Sequence, residues 1–408
     1  MPFVVRCFCR KLKPQKENKP MPHYSTVMSQ MLHMIPRHEF EHIVREHDGD
    51  RNVKKFSCYQ QLVVMLYAQL RGLDSLREIE TSLATHQARW YHLGLKTVKR
   101  STIAEANCTR PWQIYKSLFY HVLERCQSFN PEHRFKMPNP VVSIDATTIQ
   151  LCLGRFPWSN YHNTKGAIKL HYRFDYAGYL PARIVVGDAR SSELKLARQG
   201  VFELEPDSIV LMDRGFGDYQ WFQELTSQGI WFITRGRNNM SYVVTGQHPL
   251  PEKTTVVSDQ TIIFKGYKAQ QDYPGPLRLI TVLDARKREP VLIVTNNFSF
   301  DAQTVADLYK ARWEIENFFK WIKQHLKIKS FLGTSQNAVL TQIWVAMCAY
   351  LLLSYIKFQS RYKLALLELS RIIKETLLSP LSLFDLLRIT ADELPKMRSP
   401  DPQLELFA

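Results

Sequence analysis

The sequence predicts a mixed α/β core carried between two helical regions, and three observations predict it. Residues 25–127 place apolar side chains at helical spacing almost throughout. At Pro140 the texture turns to short β-branched runs separated by Gly, Pro and Asp. A long stretch without Gly or Pro, Asp307 to Lys327, then returns to a helical period with a sharply divided surface.

In the leading helical region, Gln60 to Leu70 suits a buried helix and Gly72 a stop. Asp74 reads as the N-cap of the next helix, with Arg77 and Glu78 in its first turn. A further start falls at Ser101, after the basic Lys96-Thr-Val-Lys-Arg100. Short helices divided by basic turns suit a DNA-binding head and equally a plain helical bundle. Pro131 to Pro140 reads as a linker. Residues 1–24 are basic and rich in Pro and Lys, without the apolar core of a signal peptide. They read as a disordered leader, or as a start codon placed too early, since Met21 or Met28 could initiate.

The β-rich region opens with Val141–Leu151, Ile168–Phe174 and Leu180–Val186, the last two joined through a hairpin-type Asp175-Tyr-Ala-Gly178. Ser191–Gln199 suits a short helix. The apolar run Ile209–Met212, a helix at Tyr219–Ser227 and a strand at Ile230–Thr234 follow. Three strands, helix, strand, helix, strand is the order of a ribonuclease-H-like sheet, antiparallel first and parallel after. Between about residues 236 and 297 the alternation stops. Short β runs at Ser241, Thr254, Thr261, Leu277 and Val291 read as a β-rich insertion. The parts are then a leader (1–24), a helical N-terminal domain (25–130), the α/β domain with its insertion (140–330), and a C-terminal helical region and tail (331–408).

On a wheel at about 100° per residue, with Tyr309 at 0°, Arg312, Glu316 and Lys323 fall between about 300° and 340°. Lys320 and Lys327 fall near 20° and 0°. Leu308, Ala311, Ile315, Phe318, Phe319, Ile322 and Leu326 fill the adjoining arc as a core-facing stripe. The polar row therefore borders the buried face, while Glu314 points away as an ordinary solvated acid. Arg312 and Glu316 also stand at i,i+4, where a simple surface salt bridge is the plain reading.

Two further acids sit where a metal site would want them. Asp145 lies inside a strand beside Val142, Ile144 and Ile149, and Asp213 ends an apolar parallel-type strand, the usual place for sites in such sheets. Three converging carboxylates repel one another unless divalent cations bridge them. Oxygen ligands suit Mg²⁺ or Mn²⁺, and two ions roughly 3.5–4 Å apart serve displacement at a phosphodiester. Asp213 before Arg-Gly is also what a simple turn would contain, and Asp145 beside Thr could be a hydrogen-bonded edge residue.

Composition agrees with a polyanionic partner. The chain of 408 residues carries 54 Lys and Arg against 38 Asp and Glu, a formal charge of +16. Its pI is near 9.5. Seven scattered cysteines make no zinc or disulfide pattern and fit a reducing cytoplasm. The apolar run Ile343–Ile356 is short for a membrane span and suits a buried helix, so no membrane is expected.

The spacing Tyr309-x2-Arg312-x3-Glu316-x6-Lys323 resembles the Y-R-E-K signature of bacterial cut-and-paste DDE transposases, the enzymes of insertion sequences. Ser143-Ile-Asp-Ala-Thr147, Asp213-Arg-Gly-Phe216, Lys165–His171 and Leu292–Asn297 resemble further segments of that family, and Ser75–Ile79 its helical head in one branch. The resemblance implies that Asp145, Asp213 and Glu316 form a catalytic triad holding two Mg²⁺ or Mn²⁺ ions. It implies that Tyr309, Arg312 and Lys323 hold phosphates at the element's end, with Lys320 and Lys327 extending the row; Arg235 and Arg237 are further candidates. It implies double-stranded DNA as partner, both terminal inverted repeats and target, with a homodimer in the synaptic complex and a hairpin intermediate. A cytoplasmic enzyme, nucleoid-associated when on DNA, follows. Relatives flip a base into an aromatic pocket; here Trp231 and Trp313 read as core or rim. The alternatives are a non-catalytic DNA-binding derivative of a transposase, and a ribonuclease-H-like nuclease acting outside transposition.

Overall fold

In the computed structural model the described residues are 25–128, 137–162, 165–176, 180–188, 190–250, 254–283, 289–325, 330–360, 365–383 and 385–387. The leader, most of the linker, the tip of the Asp175 hairpin, Leu326, Lys327 and the charged tail lie outside them.

Six helices lead the chain: α1 (Val27–Leu32), α2 (Arg37–Glu46), α3 (Cys58–Arg71), α4 (Leu76–Thr85), α5 (Arg100–Thr109) and α6 (Gln113–Ser128). The capping chemistry explains their ends. Ser57 and Gln60 form a reciprocal capping box on α3, and Gly72 closes that helix at φ 70°. The N-cap of α4 is Ser75 rather than Asp74: the Ser75 hydroxyl accepts from the Glu78 N–H, and the Glu78 carboxylate accepts from the Asp74 N–H.

The sheet is continuous among the described residues. Its strands are β1 (Val141–Leu151), β2 (Asn160–His162), β3 (Lys165–Asp175), β4 (Leu180–Asp188), β5 (Ile209–Met212), β6 (Trp231–Arg235), β7 (Tyr242–Gln247), β8 (Val256–Phe264), β9 (Leu277–Leu283) and β10 (Pro290–Thr295). β3 pairs antiparallel with β1 and β4, while β1, β5 and β6 run parallel, giving the ribonuclease-H-like order the sequence predicts. The insertion strands are not a separate layer. β10 joins β6 antiparallel, and β9, β8 and β7 extend the same sheet outward. The runs at Thr254 and Thr261 merge into the single strand β8, whose ladder with β9 shifts register between Val256 and Ser258 and then runs in step from Ser258 to Ile262.

Helices cover both faces, as a sheet with parallel strands requires. On one side α7 (Glu193–Arg198), α8 (Tyr219–Ser227) and the short α9 (Tyr267–Asp272) pack over Ile144, Val210, Met212 and Phe232. On the other, α10 (Ala302–Ala311) and α11 (Trp313–His325) bury Leu308, Ala311, Ile315, Phe318, Phe319 and Ile322 against Val141, Tyr172 and Phe174. The stripe assigned from the wheel is thus the buried one.

The helix α12 (Gln336–Gln359) is apolar all round and lies among α3, α5 and α6, with α13 (Leu366–Thr376) against it. It has the length and apolarity to cross a membrane, but its apolar window is wholly buried in the fold. Each Leu or Ile buried there contributes about 1.5–3 kcal/mol over an exposed one. The C-terminal helices therefore share one core with the N-terminal ones. Asn337 fixes that join: its side-chain amide donates to the carbonyls of Asn107 (2.8 Å) and Arg110 (2.6 Å).

Candidate active site

The pairing of β1 with β5 places the first two acids. The parallel ladder runs from Val141↔Ile209 to Ser143↔Leu211, and Asp145 and Asp213 each lie two residues beyond that last pair. The shared register puts both on one face of the sheet, Asp213 just past the end of β5 and Asp145 beside it within β1. β5 ends at Met212 whereas β1 continues to Leu151, so Asp145 sits where the flank of β1 opens. That is how an acid comes to stand within a strand and still reach the surface.

Asp213 caps a turn of 3₁₀ helix, Arg214–Phe216, its Oδ1 accepting the Gly215 N–H at 2.8 Å. A side chain at 215 would bring Cβ to 3.0 Å from that oxygen, so the Asp213 carboxylate would have to shift to admit it. Phe216 is fully buried against Trp221 and anchors the turn. From β6 the Thr234 hydroxyl donates to the Asp213 carbonyl at 3.0 Å.

The third acid arrives on α11, and here the single helix read from the sequence is broken. Arg312 lies between α10 and α11 in a turn wound tighter than α. Its N–H bonds to the Tyr309 carbonyl and the Ile315 N–H to the Arg312 carbonyl, both three residues back. The Ala311 carbonyl instead accepts the Tyr176 hydroxyl at 2.8 Å, and that hydroxyl also bonds Ser143 Oγ at 2.8 Å. A buried chain Ser143–Tyr176–Ala311 thus sets the helix break against β1, two residues before Asp145. Nothing in the spacing signals Tyr176.

The break aims the Arg312 guanidinium at the acids. Nη2 stands 2.7 Å from Glu316 Oε1 and Nη1 3.9 Å from Asp145 Oδ2. Burial opposes the charge on Arg312, but Tyr309, Glu316 and Asp145 outweigh it and raise its pKa. The Tyr309 ring centroid lies 5.8 Å from the guanidinium carbon. Burial, first, pushes the Tyr309 phenol above its usual pKa, against the pull of Arg312 and Arg235. Asp145 is raised to about 7, chiefly by burial and further by Asp213 and Glu193, against the Ala146 N–H and Arg312. A further acid, which no motif in the sequence marks, stands nearby. Glu193, first residue of α7, lies within electrostatic reach of Asp145 and is paired to Lys169 of β3 at 2.8 Å.

The remaining residues divide. Lys320 is exposed, Lys323 half-buried, and Lys327 outside the described residues. Arg235 is half-buried within reach of Tyr309; Arg237 donates to the Gly217 carbonyl at 2.9 Å. Glu314 is half-buried near Tyr350 of α12, so it points away from the acids but not into bulk solvent as expected. Trp231 packs partly buried against the core. Trp313 is 58% exposed, so of the two places read for it, core and rim, the core is excluded.

The oxygen donors have the hardness Mg²⁺ or Mn²⁺ require. As placed, Glu316 is turned to Arg312, and among the described residues no three acid, His or Cys side chains form a group that could hold a metal ion. The five described cysteines Cys58, Cys108, Cys126, Cys152 and Cys348 are free thiols.

A ribonuclease-H-like sheet with two acids on one face beneath a helix bearing Arg and Lys is an arrangement suited to phosphoryl transfer on nucleic acid. The chain belongs to the Transposase DDE domain family, whose pattern matches residues 136–352. Residues 23–96 match a second family, described as a domain of unknown function. The chain is similar to the transposase y4zB of Sinorhizobium fredii, 28% identical over 66% of this chain and 75% of that one. It is similar to a transposase of insertion sequence element IS5377 of Geobacillus stearothermophilus, 26% identical over 66% and 70%. A solved piggyBac transposase synaptic complex with hairpin DNA aligns over 94% of this chain and 84% of that one, at 12% identity and TM-score 0.43. The protein is a DNA transposase, a DNA-cleaving and phosphoryl-transferring enzyme of a family that generally uses divalent metal ions.

Proposed function

We propose that the chain moves an insertion sequence by cut-and-paste, with Asp145, Asp213 and Glu316 as metal ligands for two Mg²⁺, or Mn²⁺, ions. The observation that carries the proposal is the shared register of Asp145 and Asp213 beneath the turn that presents Arg312 and Glu316. Ions held there would activate the attacking oxygen and stabilise the leaving one. Arg312 forks onto a phosphate and Lys323 supplies a point charge. Tyr309 offers a hydroxyl and a ring face, and Lys320 and Lys327 extend the row along the backbone. The helical region 25–130 grips the terminal repeats. Two subunits hold two ends, in the bacterial cytoplasm and on the nucleoid when DNA is bound.

One strand at each end is hydrolysed to a 3′-OH, which attacks the opposite strand to close a hairpin. A second hydrolysis releases it for joining to target DNA. Purified protein, Mg²⁺ and a duplex carrying the element's ends should yield hairpin termini on a denaturing gel. Nicked ends that join target while still attached to flanking DNA would contradict the hairpin route.

A further inference from the structure

We infer that Arg312 is a built-in counter-cation that must leave Glu316 before that acid can take a metal ion, so that engagement of a DNA phosphate and capture of the ion are coupled. The inference rests on the proposed role of Asp145, Asp213 and Glu316.

Three observations carry it. The guanidinium bridges two of the three acids, at 2.7 Å from Glu316 and 3.9 Å from Asp145. Arg312 is 7% exposed and its Nε–H is buried without an acceptor, so the side chain is held by Glu316, Asp145 and the Tyr309 hydroxyl and not by a full hydrogen-bond set. Its backbone lies in the tightened turn between α10 and α11, where two successive bonds span three residues; such mid-helix turns are places where a helix can re-aim a side chain.

The electrostatics follow. The bridge offsets repulsion between Asp145 and Glu316, which two ions would otherwise offset. A carboxylate oxygen directed at a guanidinium cannot also ligate an ion, and a divalent charge a few ångströms from Arg312 is repelled by it. A DNA phosphate offers the same planar fork a doubly oxygenated partner. Drawing Arg312 onto it frees Glu316, so DNA raises metal affinity, and by reciprocity metal raises DNA affinity by the same factor.

The test is Mn²⁺ binding to the full chain, followed by electron paramagnetic resonance of the free ion without DNA. Arg312→Gln should bind Mn²⁺ about tenfold tighter than wild type, with Arg312→Lys in between because a single amine cannot span both acids. Glu316→Gln should bind at least about tenfold more weakly. A duplex of the element's end should tighten Mn²⁺ binding in wild type and leave Arg312→Gln unchanged. If the two Arg312 variants bind Mn²⁺ no tighter than wild type while Glu316→Gln loses binding, the counter-cation is overturned and the metal site stands. If Glu316→Gln and Asp145→Asn both bind as wild type does, the metal site itself is wrong.

Discussion

Asp145 and Asp213 stand at equal distance along two parallel strands, each two residues past the pair Ser143↔Leu211. The register makes them neighbours whatever the loops between them do. The cost of that placement is visible in Asp145, whose pKa is raised to about 7 by burial and then by nearby acids.

A pH dependence of stability follows. Between the ordinary carboxyl value of 3.8 and about 7 the folded chain holds a proton that the unfolded chain has released. The stability this group contributes is complete below 3.8 and is lost as pH rises through about 7. Without divalent ions at pH 8, Asp145→Asn should therefore melt a few degrees above wild type, and near pH 3 the two should coincide. Equal melting at pH 8 would remove the argument. Mg²⁺ should raise the wild-type melting temperature at pH 8 and leave Asp145→Asn unmoved.

Two of the insertion strands are joined to each other by a buried ion pair, which a carbonyl contact ties to the segment ahead of α10. Arg278 on β9 donates from Nε and Nη2 to the two oxygens of Asp259 on β8, at 2.9 and 2.6 Å, and from Nη1 to the Phe300 carbonyl ahead of α10. Asp259→Ala leaves a guanidinium buried without its charge partner and should cost about 3–5 kcal/mol in denaturant unfolding. The double variant Asp259→Leu, Arg278→Met should recover much of that loss; failure to recover would mean the carbonyl contacts, not the charge pair, carry the stability.

The join between the first and last helices depends on Asn337. Asn337→Ala leaves the Asn107 and Arg110 carbonyls without their donor and should cost about 1–3 kcal/mol. Hydrogen exchange should then quicken in α5 and the first turns of α12, with β1 and β5 unchanged. Uniform quickening across the sheet would show that the helices and sheet unfold as one unit.

Much of this arrangement was legible in the sequence because it is local. Helical spacing identified the buried stripe from Leu308 to Ile322, and β-branched runs identified the strands of the sheet. What escaped was set by distant partners. The helix from Asp307 breaks at Arg312 because Tyr176, far away in sequence, takes the Ala311 carbonyl. The insertion joins the central sheet because β10 pairs with β6, and no periodicity encodes a pairing partner. Glu193 was hidden for the same reason: its relation to Asp145 and Lys169 exists only once α7 has folded over β3.

Glu316, and not its neighbour Glu314, is the acid proposed to complete the metal site. Single-turnover cleavage of a duplex carrying the element's end, in Mg²⁺, tests this directly. Loss of a ligand worth about 3–4 kcal/mol in the transition state slows cleavage by roughly 10²–10³. Glu316→Gln should show that loss, and Glu314→Gln should cleave within about threefold of the wild-type rate. Wild-type cleavage by Glu316→Gln, or an equal loss in Glu314→Gln, would contradict that assignment.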